Sequence, residues 1–466
     1  MTRHAERSER MLCLLLATGL LALAASCSIP SEVVDLGSTV RDGGDAGRPD
    51  ASSGIVGQLD TTFAAPRGFV TGTGYPAGQY GVGLGIAVDS TDRVVGSGMV
   101  FAAASTVSER DMVVWRLTRE GAPDSTFNGT GFFLEHLSRY DWGFDVLVDP
   151  SDRILVGGYE ERSYRDNPTI WRITASGVLD TTFGVGGSNS VFFDPEVEGD
   201  GIARDPTDGS YVVSGRQHSA FMAAVRFTAE GAVDPTFNGT GKVVFDAIPN
   251  SSAFRVAVDS QGRVLLVGQA SPGGKLDTDL IVWRYNHDGT PDTSFAGLGY
   301  ALHDSPGGIL GANDLGNDLA LSPEGGLYVA GQSNQRMAVW KLKGDGTLDA
   351  SFCGAGCCLF SGAAGGSGPD LGTAIAIDAS GRLVVAGSSR NAAGDDDLAV
   401  WRITPDGALD PAFGIGGVFV HGGAAGGVGG TDLAHDVALD STGRILVIGE
   451  SADAALASQM VIWRLR

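Results

Sequence analysis

A turn motif that recurs seven times is the feature that most restricts the fold of this chain. The motif reads Leu-Asp-x-x-Phe followed by glycines, with small departures, as in segment 179–187. Its aspartates lie 54 to 64 positions apart and are Asp60, Asp124, Asp180, Asp234, Asp292, Asp349 and Asp410. A phenylalanine follows three positions after each of them. A period of about 58 residues indicates one structural unit used seven times.

The units contain short runs of Val, Ile, Leu and Trp, which favour buried strands over helices. In the last unit these runs are 436–440, 444–449 and 460–465, and a fourth strand is missing there. The first unit instead begins with a spare turn and strand near 59–73. We therefore predict an all-β fold, a seven-bladed β-propeller of four-stranded antiparallel blades, closed by an N-terminal strand that joins the last blade.

The recurring polar and aromatic residues are predicted to build this fold. Turns such as Asp-Ser-Thr-Asp-Arg at 89–93 indicate hairpins whose aspartate accepts backbone hydrogen bonds. Six third strands carry a tryptophan followed by a basic residue. We expect the tryptophan to pack between blades and the basic residue to pair with the turn aspartate. The tryptophans are Trp115, Trp171, Trp283, Trp340, Trp401 and Trp463, with Val225 in that position in one unit.

These units resemble the delta-60 repeat family of secreted bacterial proteins, whose signature is the Leu-Asp-x-x-Phe-Gly-x-Gly turn. The Ala-Val-Asp-Ser-x-Gly-Arg hairpin is also similar to NHL-type propeller blades. The resemblance covers residues 57–466 and supports the propeller. It implies no activity, because the family is defined by its repeats.

The N-terminus has the pattern of an export signal. Three arginines precede a nearly uninterrupted apolar run, residues 12–23, and small residues lead to Cys27. We predict a signal peptide at 1–26, a lipidated Cys27 with a flexible tether at 27–56, and the propeller at 57–466. Ser28 after the cysteine favours the outer membrane or cell surface. Full secretion after ordinary signal cleavage is the alternative.

The net charge of −23 argues against a nucleic-acid partner, because phosphate binding requires basic patches. We expect a monomer that contacts the membrane through its lipid anchor only. The partner predicted from an exported platform is a protein or polysaccharide of the cell envelope.

A recurring set of aspartates at the first strands suggests a cation site. A ring of carboxylates lining a propeller channel could bind a divalent cation such as calcium. The alternative is that each aspartate holds the backbone of its own loop. The candidates are Asp141, Asp145, Asp314, Asp318, Asp370, Asp432 and Asp436.

Three cysteines, Cys353, Cys357 and Cys358, cluster in one turn. In an oxidising compartment we expect one local disulfide and one remaining thiol. A zinc site is a weaker interpretation, because the spacing does not fit one and no fourth ligand is evident.

The sequence contains none of the common catalytic or nucleotide-binding motifs, and its histidines are scattered. We therefore predict an envelope lipoprotein whose propeller is a binding platform. That role requires an exposed aromatic patch, for which Tyr80, Tyr140 and Trp142 are candidates. One alternative is a metal-dependent hydrolase or lyase at the channel mouth. Another is a purely structural envelope protein.

Overall fold

The described residues of this computed structural model form seven four-stranded antiparallel sheets, which confirms the predicted propeller. These residues are 56–72, 79–102, 110–136, 140–162, 164–217, 221–274, 277–304, 313–427 and 429–466. The predicted signal peptide, Cys27 and nearly all of the tether lie outside them. In this part of the chain no helix has the length and hydropathy that a membrane span requires.

Each blade contains strands A to D in chain order, except that the last blade takes its D strand from the N-terminus. Blades 1 to 3 consist of β2 (Gln79–Val88), β3 (Val94–Ala102), β4 (Asp111–Leu117) and β5 (Phe132–Glu135); β6 (Asp141–Val148), β7 (Ile154–Arg162), β8 (Arg165–Ile173) and β9 (Ser188–Ser190); and β10 (Val197–Arg204), β11 (Tyr211–Gln217), β12 (Phe221–Phe227) and β13 (Lys242–Phe245).

Blades 4 and 5 consist of β14 (Ser252–Val258), β15 (Val264–Ala270), β16 (Asp279–Tyr285) and β17 (Tyr300–His303); and β18 (Asp314–Leu321), β19 (Leu327–Ser333), β20 (Arg336–Leu342) and β21 (Cys357–Phe360). Blades 6 and 7 consist of β22 (Gly365–Ile377), β23 (Leu383–Asn391), β24 (Asp396–Ile403) and β25 (Val418–His421); and β26 (Asp432–Leu439), β27 (Ile445–Ala452), β28 (Ser458–Leu465) and β1 (Phe69–Thr71). The one helix among the described residues is a 3₁₀ turn at Pro272–Gly274.

The two ends of the propeller close the ring in blade 7, as the sequence predicts. Strand β1 pairs antiparallel with β28, with Phe69 opposite Trp463. The Asp60 amide donates to the Arg464 carbonyl at 2.8 Å, and the Arg464 Nε donates to the Asp60 carboxylate at 2.9 Å. Closure therefore pairs the open edge that each end would otherwise expose.

The propeller has two chemically different faces. The first strands of neighbouring blades contact one another around the ring, so strand A lines the central channel. Because strands alternate in direction, the A–B hairpins and C–D turns lie on one face, which we call the repeat face. The D–A and B–C loops lie on the opposite face, which we call the variable face.

On the repeat face every basic residue after the third-strand core position pairs with the aspartate of its own turn. The pairs are Arg116–Asp124, Arg172–Asp180, Arg226–Asp234, Arg284–Asp292, Lys341–Asp349, Arg402–Asp410 and Arg464–Asp60, with N···O distances of 2.7–3.2 Å. The guanidinium also lies over the phenylalanine of the turn, as for Arg284 above Phe295 at 4.7 Å. The recurring motif is thus explained by packing of the turn.

The same turns connect each blade to the next. The residue after each turn phenylalanine donates its amide to a carbonyl in the next blade, as from Asn128 to Ser176 at 2.8 Å and from Ala64 to Glu120 at 2.7 Å. Several of the arginines donate across the same boundary, as from Arg116 to the Ala175 carbonyl at 2.6 Å. The repeat face is therefore a continuous ring of hydrogen bonds.

The tryptophans pack between blades, as the sequence indicates. Trp115 of blade 1 lies in a buried cluster with Ile448, Met460 and Ile462 of blade 7. Trp171 of blade 2 packs in the same way against blade 1. All six rings on the third strands are at most 1% exposed. Each ring therefore removes a large apolar area from water at a blade boundary.

Candidate functional site

A bulge in every first strand shapes the channel wall. Pairing between strands A and B shifts register at an equivalent point in each of the seven blades, and blade 6 has a second shift between Gly365 and Asp370. A bulge leaves a residue unpaired and redirects the side chains beside it. The equivalent position of the seven bulges, two residues after the last paired residue, carries Gly85, Asp145, Gly201, Arg255, Asp318, Ala374 and Asp436.

Three of the predicted aspartates use this position to join neighbouring blades. Asp145 accepts the amide of Val146 at 2.8 Å and that of Ile202 in blade 3 at 3.0 Å. Asp318 bonds in the same way to Leu319 and to Ile375 in blade 6, each at 2.8 Å. Asp436 repeats the arrangement between blade 7 and blade 1, where it accepts the Ile86 amide at 2.8 Å. These carboxylates therefore have backbone partners on two blades.

A cation of the chain itself stands among these carboxylates. Arg255 comes from the equivalent position of blade 4, and its guanidinium lies 3.8 Å from Asp145 and 3.9 Å from Asp318. Burial opposes its charge, but the carboxylates of Asp145, Asp436 and Asp318 outweigh burial and raise the pKa of Arg255. Arg255 therefore reaches from blade 4 toward blades 2 and 5 across the channel.

Two of the carboxyl groups around Arg255 have raised pKa values. Burial raises the pKa of Asp318 to about 6 and that of Asp436 to about 7, although Arg255 opposes both shifts. Burial also raises the pKa of Asp200 to about 7, against the effect of Arg216. Near neutral pH this part of the channel therefore holds a mixture of charged and neutral carboxyl groups.

Four aspartates lie apart from this ring, nearer the variable-face end of strand A, and are buried: Asp141, Asp314, Asp370 and Asp432. Asp370 accepts the Gly362 amide at 2.8 Å, and Asp432 accepts those of Gly423 at 2.8 Å and Ala424 at 3.2 Å. These two aspartates hold the D–A loops that lead into their own strands, as the alternative interpretation predicts.

Asp314 lies in a different group, with Asp279 and Asp304, in which one oxygen of each carboxylate lies within 4.8 Å of the others. Such a group could hold a cation. A similar group, Asp205, Asp208 and His287, has the Arg226 guanidinium against it. Nη2 of Arg226 lies 2.6 Å from both the Asp208 carboxylate and the His287 ring nitrogen. A positive charge is thus already present in the second group.

An aromatic group lies beside the channel on blade 2. Trp142 stacks on Phe144 with ring centroids 5.3 Å apart, and Tyr159 lies 5.8 Å from Trp142 and 5.9 Å from Phe144. The expectation that Trp142 and Tyr140 are exposed is wrong, because they are 4% and 7% exposed. Both side chains are covered within a small cluster of blades 1 and 2. Phe144, on the bulge of β6, and Tyr80 are only half-buried.

A cavity of about 340 Å³ lies on the variable face of blade 2, toward its outer edge. Arg162 and Arg165 from the B–C turn, Asn167, Ser190 and Phe192 line it. A cavity of about 410 Å³ lies on the repeat face between blades 4 and 5, and its arginines, Arg263 and Arg284, pair with turn aspartates. The side chains of Arg162 and Arg165 are 58% and 43% exposed, which leaves them open to a ligand.

The three clustered cysteines lie on the repeat face of blade 5. Cys353 and Cys358 form a disulfide, and the Cys357 thiol is buried. Burial raises the pKa of that thiol. The Cys353 sulfur also lies 3.5 Å from the Gly407 carbonyl of blade 6, so the disulfide contacts the next blade.

Several of these residues were not predicted from the sequence, namely Arg255, Asp200, Phe144 and the residues that line the cavity on blade 2. Arg255 and Phe144 had a detectable signal. For Arg255 the signal is an arginine where three other units carry aspartate, which an alignment of the seven units would reveal. For Phe144 it is an aromatic ring at a position of variable residue type, which blade 4 shares through Phe254. The cavity residues come from irregular loops and carry no repeat signal.

Comparison with known proteins supports a propeller repeat family. Residues 150–183, 262–295, 323–352 and 379–413 match a family model described as a domain of unknown function (DUF5122) beta-propeller. Each match begins in or beside the A–B hairpin and ends on a turn phenylalanine. The matched unit is therefore the repeat that builds the repeat face. No curated protein sequence matches the chain.

Solved structures with a similar fold include a catalytically inactive virginiamycin B lyase from Staphylococcus aureus with quinupristin, at 10% identity and TM-score 0.49, covering 84% of this chain and 98% of that one. A periplasmic gluconolactonase from Pseudomonas aeruginosa has 11% identity and TM-score 0.44, covering 72% and 84%. A protein of unknown function from Dyadobacter fermentans has 10% identity and TM-score 0.47, covering 86% and 99%. Likeness at this level does not bear on function.

Proposed function

We propose that this protein is an exported, lipid-anchored binding platform that holds an envelope polysaccharide or protein on its variable face. The observation that carries the proposal is the half-buried Phe144 ring, stacked on Trp142 and Tyr159 beside the channel. A flat ring held in place by two others offers a rigid apolar surface to a ligand at little cost in side-chain entropy.

The division of roles between the faces supports this proposal. On the repeat face the recurring charged and aromatic side chains are used in contacts within and between blades. The variable face carries the loops that differ from blade to blade, and binding residues commonly lie on such loops over a rigid scaffold. Because Arg255 reaches across the channel, the ligand binds at the mouth rather than through it.

The attachment point of the tether favours the same orientation. Val56 accepts the amide of Gly414 at 2.9 Å in a C–D turn of blade 6, so the preceding chain joins the propeller at the repeat face. Lipid on Cys27 would then tether the propeller by its repeat face and leave the variable face available. Palmitate labelling that is lost in Cys27→Ala supports the anchor, whereas labelling that persists or is absent in both proteins contradicts it.

The binding role is tested by co-sedimentation with purified peptidoglycan sacculi, followed by an outer-membrane protein fraction. We expect Phe144→Ala to weaken binding at least tenfold while the unfolding midpoint changes little. Phe419→Ala is the matched control, because this ring is also half-buried but lies on the outer strand of blade 6. Equal binding by wild type and Phe144→Ala would contradict the proposed site.

The metal-dependent enzyme is a second candidate, favoured by the grouping of Asp279, Asp304 and Asp314. The enzyme has less support from the bulge carboxylates in the channel, which are Asp145, Asp318 and Asp436. These groups accept backbone amides and interact with Arg255, so they already have partners. Thermal unfolding after chelation, with Ca²⁺, Mg²⁺, Mn²⁺ and Zn²⁺ restored singly, decides the matter. A saturable rise that is absent in Asp279→Asn supports a specific site, because a ligand bound only by the folded state stabilises it. No rise with any cation leaves the carboxylates as structural groups.

A further inference from the structure

The cavity on the variable face of blade 2 has a composition that points to one class of ligand. Two arginines, Arg162 and Arg165, stand on either side of the B–C turn, and an exposed phenylalanine, Phe192, follows strand D. Phe192 is 57% exposed, which is unusual for so large an apolar side chain. Arg165 lies over its ring, with 5.2 Å between the guanidinium carbon and the ring centroid.

The polar groups around the cavity are held in fixed positions. Asn167 is 4% exposed and donates from its side chain to the Arg165 carbonyl at 2.8 Å, which sets the shape of the turn. Arg162 pairs through its Nε with Glu160, which is 1% exposed. Arg165 pairs through one Nη with Asp194 at 3.0 Å. Each pairing uses one edge of the guanidinium, and arginine has five N–H donors. The arginines are thus oriented by these contacts and retain donors for a ligand.

These donors match the geometry of an oxyanion. A guanidinium binds a carboxylate or sulfate through two parallel hydrogen bonds, and these are stronger than bonds between neutral groups. The exposed Phe192 ring adds a flat apolar surface beside them. A sugar ring that carries a carboxylate or sulfate presents both features, an anion at its edge and an apolar C–H face. A cavity of about 340 Å³ has the size of a small-ligand pocket.

We propose that the cavity lined by Arg162, Arg165, Asn167, Ser190 and Phe192 binds an acidic sugar unit of a polysaccharide, with its carboxylate or sulfate on the arginines and its ring on Phe192. The proposal rests on the proposed use of the variable face for binding, and it names the ligand class that this face takes. The cavity lies at the outer strands of blade 2, whereas Phe144 lies on the innermost strand of the same blade. Variants at the two places therefore report on separate sites.

The test measures binding of trigalacturonate by isothermal titration calorimetry at low salt, with chondroitin sulfate disaccharide as the sulfated probe and maltotriose as the neutral one. Arg165→Gln removes the charge without touching the buried Glu160. We expect this variant to weaken binding of at least one acidic sugar about tenfold or more, and added salt to weaken binding by the wild type. Maltotriose should bind at least tenfold more weakly than that acidic sugar.

The matched control is Arg390→Gln, which changes a half-exposed arginine of the same face, at the B–C hairpin of blade 6, paired with Asp396 at 2.7 Å. We expect this control to bind as the wild type does. Three results would overturn the proposal: undetectable binding of both acidic sugars, equal binding by Arg165→Gln, or equal binding of maltotriose. If Arg165→Gln loses acidic sugar while Phe144→Ala keeps it, the cavity is supported as a separate site, and the proposed function then stands or fails on co-sedimentation of Phe144→Ala with sacculi. If Arg165→Gln keeps acidic-sugar binding while Phe144→Ala loses it, the cavity proposal is overturned and the Phe144 site is not.

Discussion

The two faces of this propeller use the same kinds of residue for opposite purposes. On the repeat face, arginine, aspartate and phenylalanine recur in nearly every blade and satisfy one another, as Arg284, Asp292 and Phe295 do. On the variable face of blade 2, Arg165 likewise contacts Asp194 and Phe192, but all three are substantially exposed. The comparison teaches that residue type alone does not distinguish a structural contact from a candidate binding surface. The two are distinguished by how deeply the residues are buried and by whether they recur in the other blades.

Replacing an arginine on each face gives the largest expected difference between them. Arg284→Ala leaves the buried Asp292 without its nearest cation and removes the bond to the Gly344 carbonyl in blade 5. We expect a loss of roughly 3–5 kcal/mol in the free energy of unfolding, the usual cost of breaking a buried pair. Arg165→Ala on the variable face should cost at most about 1 kcal/mol, because both members of its ion pair with Asp194 are exposed. Denaturant unfolding measures both, and equal losses would contradict the division of roles.

The second prediction concerns the charge inside the channel. Burial raises the pKa of Asp200 to about 7. Below about pH 3 this group is largely protonated in both the folded and the unfolded protein. As the pH rises toward 7 the unfolded chain releases the proton first, so ionisation lowers the free energy of unfolding. We expect Asp200→Asn to remove this decline and to be more stable than wild type at pH 8 by a few kcal/mol, since one pKa unit corresponds to about 1.4 kcal/mol.

Unfolding curves at pH 5 and pH 8 check this prediction. The advantage of Asp200→Asn should be clearly smaller at pH 5 than at pH 8, because at pH 5 the folded wild type still keeps the proton and only part of the decline in stability has occurred. A wild type that is more stable than Asp200→Asn at pH 8 would show that the ionised carboxylate is compensated, for instance by Arg216, whose Nη2 lies 4.0 Å from it.

The fold could be predicted from the sequence because the turn motifs of the repeat face recur in every blade. Seven copies of one turn set the blade number, and the spare first strand implied the closure that β1 and β28 make. The pairing of Arg464 with Asp60, 404 positions apart, follows from the same periodicity. A motif that recurs seven times can be recognised from the sequence alone.

The candidate site could not be predicted in the same way, because it depends on departures from the repeat. The seven aspartates recur in the sequence, yet in the structure they form separate groups with different partners. Asp318 accepts a backbone amide of blade 6, whereas Asp314 lies close to Asp279. The bulge that brings Arg255 toward Asp145 has no simple sequence signature. The sequence also does not show that Trp142 is buried, because its burial depends on residues of the neighbouring blade.

The third prediction tests the weakest part of the repeat face. Blade 5 carries Lys341 in place of arginine, and Lys341 reaches Asp349 at 3.1 Å. Its turn also contains the Cys353–Cys358 disulfide, with a sequence separation of 5. A crosslink over so short a loop contributes about 2 kcal/mol in the chain-entropy treatment. We expect reductant to lower the unfolding free energy of wild type by about this amount and to leave the Cys353→Ser/Cys358→Ser protein unchanged. A wild type insensitive to reductant would contradict a stabilising role.

The smallest expected effect concerns apolar side chains that the repeat face leaves in solvent. Ile415 is 76% exposed, and Val185 occupies the same turn position of another blade at 83%. Because Ile415 buries little, Ile415→Ser should change the free energy of unfolding by no more than about 0.5 kcal/mol. It should also leave binding to peptidoglycan sacculi unchanged, since that binding is assigned to the opposite face. Lost binding without lost stability would mean that the repeat face, too, carries an interaction surface, and the contrast between the faces would no longer mark the ligand site.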